Sequence, residues 1–155
     1  MKLILFQPQI PQNTGNIVRT CSVTSTSLTL VRPLGFSVTD RWLKRAGLDY
    51  WEGVNVSFID DLASFEHYLE QTEHQFYFYS SKAEKKYSDI KYKADDMLIF
   101  GSETSGLPEY FRAKWPERFA TIPMTEGSRC LNLATSAGIV LYEAWRQQGF
   151  SKEVH

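Results

Sequence analysis

Arg19, Glu103, Arg129 and Asn132 are the side chains of this 155-residue chain whose types and settings offer chemistry. Arg19 lies near the end of the segment PQIPQNTGNIVRTC (Pro8 to Cys21), in which two prolines, two asparagines and a glycine describe a shaped loop feeding a helix. Thr14 or Asn13 is expected to cap that helix, and Gly15 to let another backbone or a ligand come close. Arg19, about one turn in, is placed to meet an anionic group such as a phosphate. A capped helix with a surface arginine is the plainer alternative for any one of these residues. Their density in one segment favours a functional loop.

Glu103 belongs to LIFGSETSGLP (Leu98 to Pro108), a buried type of strand running into a polar loop framed by Gly101 and Gly106. The residue after Gly106 is Leu107 and not lysine, which removes the cation that a nucleoside-triphosphate loop needs, and no GxGxxG fingerprint occurs in the chain. What remains is a set of backbone donors and one carboxylate, suited to a ligand that is read by its edges and carries positive charge. Glu103 bonding loop amides or a helix N-terminus is an equal alternative. The third segment, Ile122 to Trp145 (IPMTEGSRCLNLATSAGIVLYEAW), gives a strand end, a polar turn and a long helix. Ala134, Ala137, Gly138, Leu141, Ala144 and Trp145 share a helical stripe, mostly core. Ser128, Arg129 and Asn132 crowd the mouth of that helix and are harder to explain by packing.

The elements that must position these groups follow from periodicity. Short β-branched, aromatic and aliphatic runs predict six strands, at residues 2–6, 28–31, 54–58, 76–79, 97–100 and 119–122. Between them lie helical patterns at 14–23, 40–46, 62–70 behind the cap candidate Asp61, a short one after Pro108, and a long one at about 132–148. Alternation of strands and helices, with LILF and MLIF nearly all apolar, predicts an α/β fold with a mostly parallel sheet and helices on both faces. Such sheets hold ligands beyond the carboxyl ends of their strands, here after Phe6, Tyr79, Phe100 and Ile122. One domain, 1–155, is expected from the length. Hydrophobic residues at 43% and a net charge of -1 argue against disorder and leave nucleic acid to be met by local basic patches. Cys21 and Cys130 show no disulfide or metal spacing, no metal site is expected, and no segment reads as a membrane span, so a cytoplasmic protein is expected.

Taken together, NTGNIVRTC, LIFGSETSGLP and SRCLNLATSAGIVLYEAWR resemble the three motifs of the SPOUT superfamily of RNA methyltransferases. Within it they are most similar to the small bacterial tRNA (cytidine/uridine) 2′-O-methyltransferases acting on the wobble nucleotide, and RPLGF and RAGLDYW extend the likeness over nearly the whole chain. The resemblance implies a C-terminal trefoil knot, which no periodicity shows, and a homodimer joined through the first-motif helix and the last helix. It implies S-adenosylmethionine, leaving as S-adenosylhomocysteine, bound by Tyr79, Gly101, Gly106, Ile122, Cys130 and Leu131. Tyr79 stands where relatives have an aliphatic residue, and Cys130 where they often have serine. Arg19 is then the family's catalytic candidate, with Asn132 and Glu103 beside it.

Methyl transfer to a ribose hydroxyl is an in-line displacement on a sulfonium, so alignment supplies most of the rate and no nucleophilic residue is required. His67, His74 and His155 all lie outside the motifs, so no imidazole base is offered. A guanidinium stays protonated. Arg19 is therefore expected to grip the phosphate beside the target ribose and orient the hydroxyl, with a phosphate oxygen or water taking the proton. RNA contacts, to the anticodon loop of tRNA, are expected at Arg19 and Arg129, at Arg41, Lys44 and Arg45, and in the run led by Lys82. The competing expectations are a methyltransferase of this fold acting on another RNA, and a non-catalytic RNA-binding protein that keeps the fold.

Overall fold

The two most apolar stretches, Lys2–Phe6 (β1) and Met97–Phe100 (β5), lie side by side in the middle of the sheet. Only strands covered on both faces carry such continuous apolar runs. The computed structural model describes residues 1–38 and 53–151. With β2 at Ser27–Val31, β3 at Val56–Ile59, β4 at Phe76–Tyr79 and β6 at Phe119–Ala120, the order is β3-β2-β1-β5-β4-β6. Every neighbouring pair is parallel, and Ile4 sits between Thr29 and Ile99.

Alternate residues of β1 feed two separate cores, as the two-residue period of a strand requires. Leu3 and Leu5 pack with Leu28, Leu98 and Phe100 beneath α1 (Pro11–Thr24) and α4 (Leu133–Gln147), through Ile17, Val18, Ala137, Val140 and Leu141. Ile4 and Phe6 face the other way, with Phe78 and Ile99, onto Phe65 and Leu69 of α2 (Leu62–Gln71) and Phe111 of α3 (Tyr110–Lys114). A fully buried side chain of this size contributes about 1.5–3 kcal/mol, so the two layers account for most of the driving force. The predicted α/β class, with helices on both faces, is the one observed.

Element ends differ from expectation in instructive ways. Asp61 caps α2 as predicted, its carboxylate accepting from the Ser64 amide at 2.7 Å. Neither Asn13 nor Thr14 caps α1. The helix starts three residues earlier, with Pro11 in its first turn and Ile10 at the cap position without a side-chain bond, because proline's fixed φ and missing N–H suit a first helical residue. Asn13 and Thr14 therefore lie buried inside the helix, and Thr14 Oγ1 has no partner among the described residues. Cys21, on the buried face of α1, has its thiol pushed up to about 12 by burial, which leaves it unreactive. β6 stops at Ala120 rather than Ile122. The predicted helix 40–46, with Arg41, Lys44 and Arg45, lies outside the described residues.

The connection between β4 and β5 embraces the chain that follows β6. The Thr121 amide donates to Lys85 O at 2.7 Å, and Thr121 O accepts from the Tyr87 amide at 2.8 Å. Farther along, Gln147 and Gln148 at the end of α4 bond the backbone of Ile90 and Tyr92. Among the described residues no helix is long and apolar enough to cross a membrane.

Candidate functional site

At the carboxyl end of β5 the chain closes a small ring. The Ser102 amide donates to Gly106 O at 3.1 Å, and the Gly106 amide returns a bond to Ser102 O at 2.9 Å. Gly106 takes φ +65°, and a Cβ on Gly101 would sit 2.5 Å from Gly106 C and 2.7 Å from Leu107 N. Both glycines are thus required, one for its left-handed backbone and one for close approach. The expectation of free backbone donors here fails for three amides of the loop. Ser102 and Gly106 spend their amides on each other, and the Thr104 amide donates to Ser102 Oγ at 3.3 Å.

Beside this ring opens a cavity of about 640 Å³, bounded by the segments that follow β4, β5 and β6 and by the start of α4. Its floor is the stacked pair Tyr79 and Phe100, with ring centroids 4.8 Å apart and planes at 20°. Burial drives the Tyr79 phenol well above its ordinary value, so it stays protonated. The Tyr79 and Tyr92 hydroxyl oxygens lie 2.9 Å apart beneath the floor. Ile122, Cys130 and Leu131 line the cavity from the connection to α4, and Cys130 Sγ lies 3.7 Å from Ser81 Oγ. All six residues expected to hold the donor (Tyr79, Gly101, Gly106, Ile122, Cys130, Leu131) face this one space.

Glu103 and Asn132 also line it, joined by a residue that sequence reasoning assigned elsewhere. The Glu103 carboxylate accepts from the Gln9 amide at 2.7 Å, the Ile10 amide at 3.2 Å and Asn13 Nδ2 at 3.3 Å. Asn13 Oδ1 accepts from Asn132 Nδ2 at 2.9 Å, while Asn132 Oδ1 caps α4 by accepting from Ala134 and Thr135. Only this orientation of the Asn13 amide makes both of its contacts hydrogen bonds. The relay pins the start of α1 to the loop after β5 and to the mouth of α4. The signal for Asn13 was Pro11, since a proline at the first helical position moves Asn13 into the first turn, where its amide needs partners.

Other candidates stand apart. Arg19 is exposed on α1 and does not line the cavity of its own chain, and Arg129 is exposed outside it. Lys82 lies on the rim, 3.8 Å from Glu109, with Arg112 donating to its carbonyl at 3.0 Å. Lys85, Lys86, Lys91 and Lys93 are all exposed. Ser128 bonds Thr125 through side chain and backbone and serves its own turn. Among the described residues no histidine lines the cavity, and no three His, Cys, Asp or Glu side chains gather as for a metal. An aromatic floor, a backbone cradle and a polar mouth suit an amphiphilic organic ligand, with reaction driven by positioning.

Comparison with known proteins places these features in company. The model of the SpoU rRNA Methylase family matches residues 1–142. A relative from Methylovorus glucosotrophus, named tRNA (cytidine(34)-2'-O)-methyltransferase, is 43% identical over 153 residues, covering 98% of this chain and 98% of the relative. A solved structure described as "Structural insights into the 2-OH methylation of C/U34 on tRNA" superposes with a TM-score of 0.89 at 39% identity, covering 97% of each chain. An AdoMet-bound rRNA methyltransferase from Sinorhizobium meliloti superposes with a TM-score of 0.84 at 25% identity, over 94% of this chain and 55% of that one.

Proposed function

The chain belongs to the SpoU rRNA methylase family, and from that premise we propose that it methylates the ribose 2′-hydroxyl of the wobble nucleotide of tRNA, cytidine or modified uridine 34, using S-adenosylmethionine. The observation that carries this reading is the convergence of the three motif segments on one cavity at the carboxyl ends of β4, β5 and β6. The residues present fit the donor. The Tyr79–Phe100 stack offers an apolar floor to an adenosine, and the Gly101–Gly106 ring closes so tightly beside it that a Cβ on Gly101 would run into the Gly106 backbone. Ile122, Cys130 and Leu131 would close over it. When bound, S-adenosylmethionine supplies an electrophilic methyl group.

Glu103, Asn13 and Asn132 act as a frame in this reading, since all their described bonds go to one another and to helix starts. Arg19 grips the phosphate beside the target ribose and orients the hydroxyl, whose proton leaves to a phosphate oxygen or water. Six residues beyond Asn13, it lies about 9 Å farther along α1, away from the cavity mouth. It therefore serves the cavity of a second copy. Homodimerisation belongs to the same proposal. It is supported by α1 and α4 lying side by side, and by Val23, Tyr142 and Phe150 left exposed on or just beyond them at 58%, 45% and 50%. The trefoil threading is proposed where residues 80–96 clasp the chain at Thr121 and again at Gln147. A cytoplasmic location follows from the substrate.

The test is methylation of bulk tRNA from cells lacking this protein, with the labelled nucleotide mapped. Label at the ribose of nucleotide 34, abolished by Arg19→Ala, is expected. No label in tRNA, or label at another nucleotide, would overturn the assignment, and an Arg19→Ala variant with full transfer and tRNA affinity would overturn the role given to Arg19.

A further inference from the structure

Tyr92 does not line the cavity, yet everything under its floor is arranged around it. Its hydroxyl lies 2.9 Å from Tyr87 O, and a carbonyl can only accept, so the one phenolic hydrogen of Tyr92 is committed there. The 2.9 Å contact between the two phenols must then run from Tyr79 to Tyr92. Tyr79 consequently commits its hydrogen to Tyr92, while its ring stacks on Phe100. The backbone of Tyr92 is held from the other side. Its amide donates to Gln147 Oε1 at 2.8 Å, and its carbonyl accepts from Gln148 Nε2 at 2.7 Å. Tyr77 packs edge-on against its ring at 5.8 Å.

We propose that Tyr92 is a positioning residue for the methyl-donor pocket: by accepting the Tyr79 hydroxyl it fixes the aromatic floor, and through Gln147 and Gln148 it ties that floor to the end of α4. This rests on the cavity being the donor site. The pocket's shape then depends on how the last helix is seated, although that end of α4 makes no wall of the cavity. Tyr92→Phe keeps the ring and leaves the buried Tyr79 hydroxyl without an acceptor, which disturbs the floor before it disturbs the fold. Removing the Tyr79 hydroxyl as well leaves no orphan hydroxyl there, and Tyr87 O keeps the Ile90 amide at 3.4 Å.

The experiment is calorimetric titration of S-adenosylhomocysteine into the full-length protein and its variants, with KM measured separately for donor and tRNA. Tyr92→Phe is expected to weaken binding roughly three- to tenfold and to raise the donor KM with a smaller effect on the tRNA KM. Adding Tyr79→Phe is expected to recover part of that loss. Gln147→Ala, outside the cavity, is expected to move the donor KM in the same direction, and it serves as the test if Tyr92→Phe does not fold. Donor affinity unchanged in folded Tyr92→Phe or in Gln147→Ala, or strictly additive losses in the double variant, would overturn the proposal alone. Absence of any heat with the unaltered protein would overturn both the proposal and the donor-site reading beneath it.

Discussion

Asn13 carries two contacts that no neighbour can replace, one to Glu103 and one to Asn132. Its truncation to alanine leaves Asn132 Nδ2 without an acceptor and takes one of three donors from Glu103. A loss of about 1–2 kcal/mol is expected, seen as a melting temperature lowered by about 3–6 °C. Methyl transfer should fall further than that stability loss explains, about tenfold, because α1 carries Arg19 and is no longer pinned to the cavity. Equal loss of stability in Asn13→Ala with transfer undiminished would show the relay to be structural only. At this scale the sequence set Glu103 and Asn132 beside Arg19 as catalytic candidates, whereas their described bonds go to Asn13 and to helix starts, and it mistook Asn13 for a cap. The error was physical: the Asx capping preference was weighed and the proline two residues earlier was not.

Loops and helix starts decide the shape of the site. Asn132 combines a helix cap with a relay donor, and two substitutions separate them. Asn132→Asp keeps the oxygen that accepts from Ala134 and Thr135 but sets an acceptor against Asn13 Oδ1. Rotating the Asn13 amide only moves the clash to Glu103. Asn132→Ala loses cap and relay together, the cap alone costing about 1 kcal/mol. The melting temperatures are expected to rank unaltered protein, then Asn132→Asp, then Asn132→Ala, with transfer low in both variants. Gly101→Ala drives a methyl group into the Gly106 backbone, and calorimetry should show S-adenosylhomocysteine affinity down at least tenfold, about 1.4 kcal/mol. The glycines of this loop were legible as a frame. Its inward hydrogen bonding was not, since which amides pair within a turn depends on backbone angles that residue types leave open.

Across the whole molecule, strand order is what residue types leave unsaid. Six strands in a mostly parallel sheet followed from apolar runs separated by helical patterns, and all six predicted strands have both ends within two residues of the observed ones, β3 starting two residues later and β6 stopping two residues earlier. That β1 takes the centre, between β2 and β5, required tertiary contacts. The clasp of residues 80–96 was equally invisible, since at Thr121 it is backbone on both sides, and at Gln147 a side-chain amide meets backbone groups that every sequence possesses. Pairings this distant raise the contact order, so refolding from denaturant, followed by tryptophan fluorescence, is expected to take a second or longer rather than milliseconds. Single-exponential refolding within milliseconds would contradict that expectation.

The central place of β1 has a consequence for synthesis in the cell. The strand leaves the ribosome long before β5, as one of the greasiest segments of the protein, and one of its two flanks stays bare until Met97 and its successors have been translated. Until then the nascent chain exposes an open edge, which invites chaperones or mispairing with a neighbouring polypeptide. A release factor acting just ahead of Met97 would therefore yield a fragment that proteases clear, while the same ribosome continuing to the end of α4 would yield a resistant one.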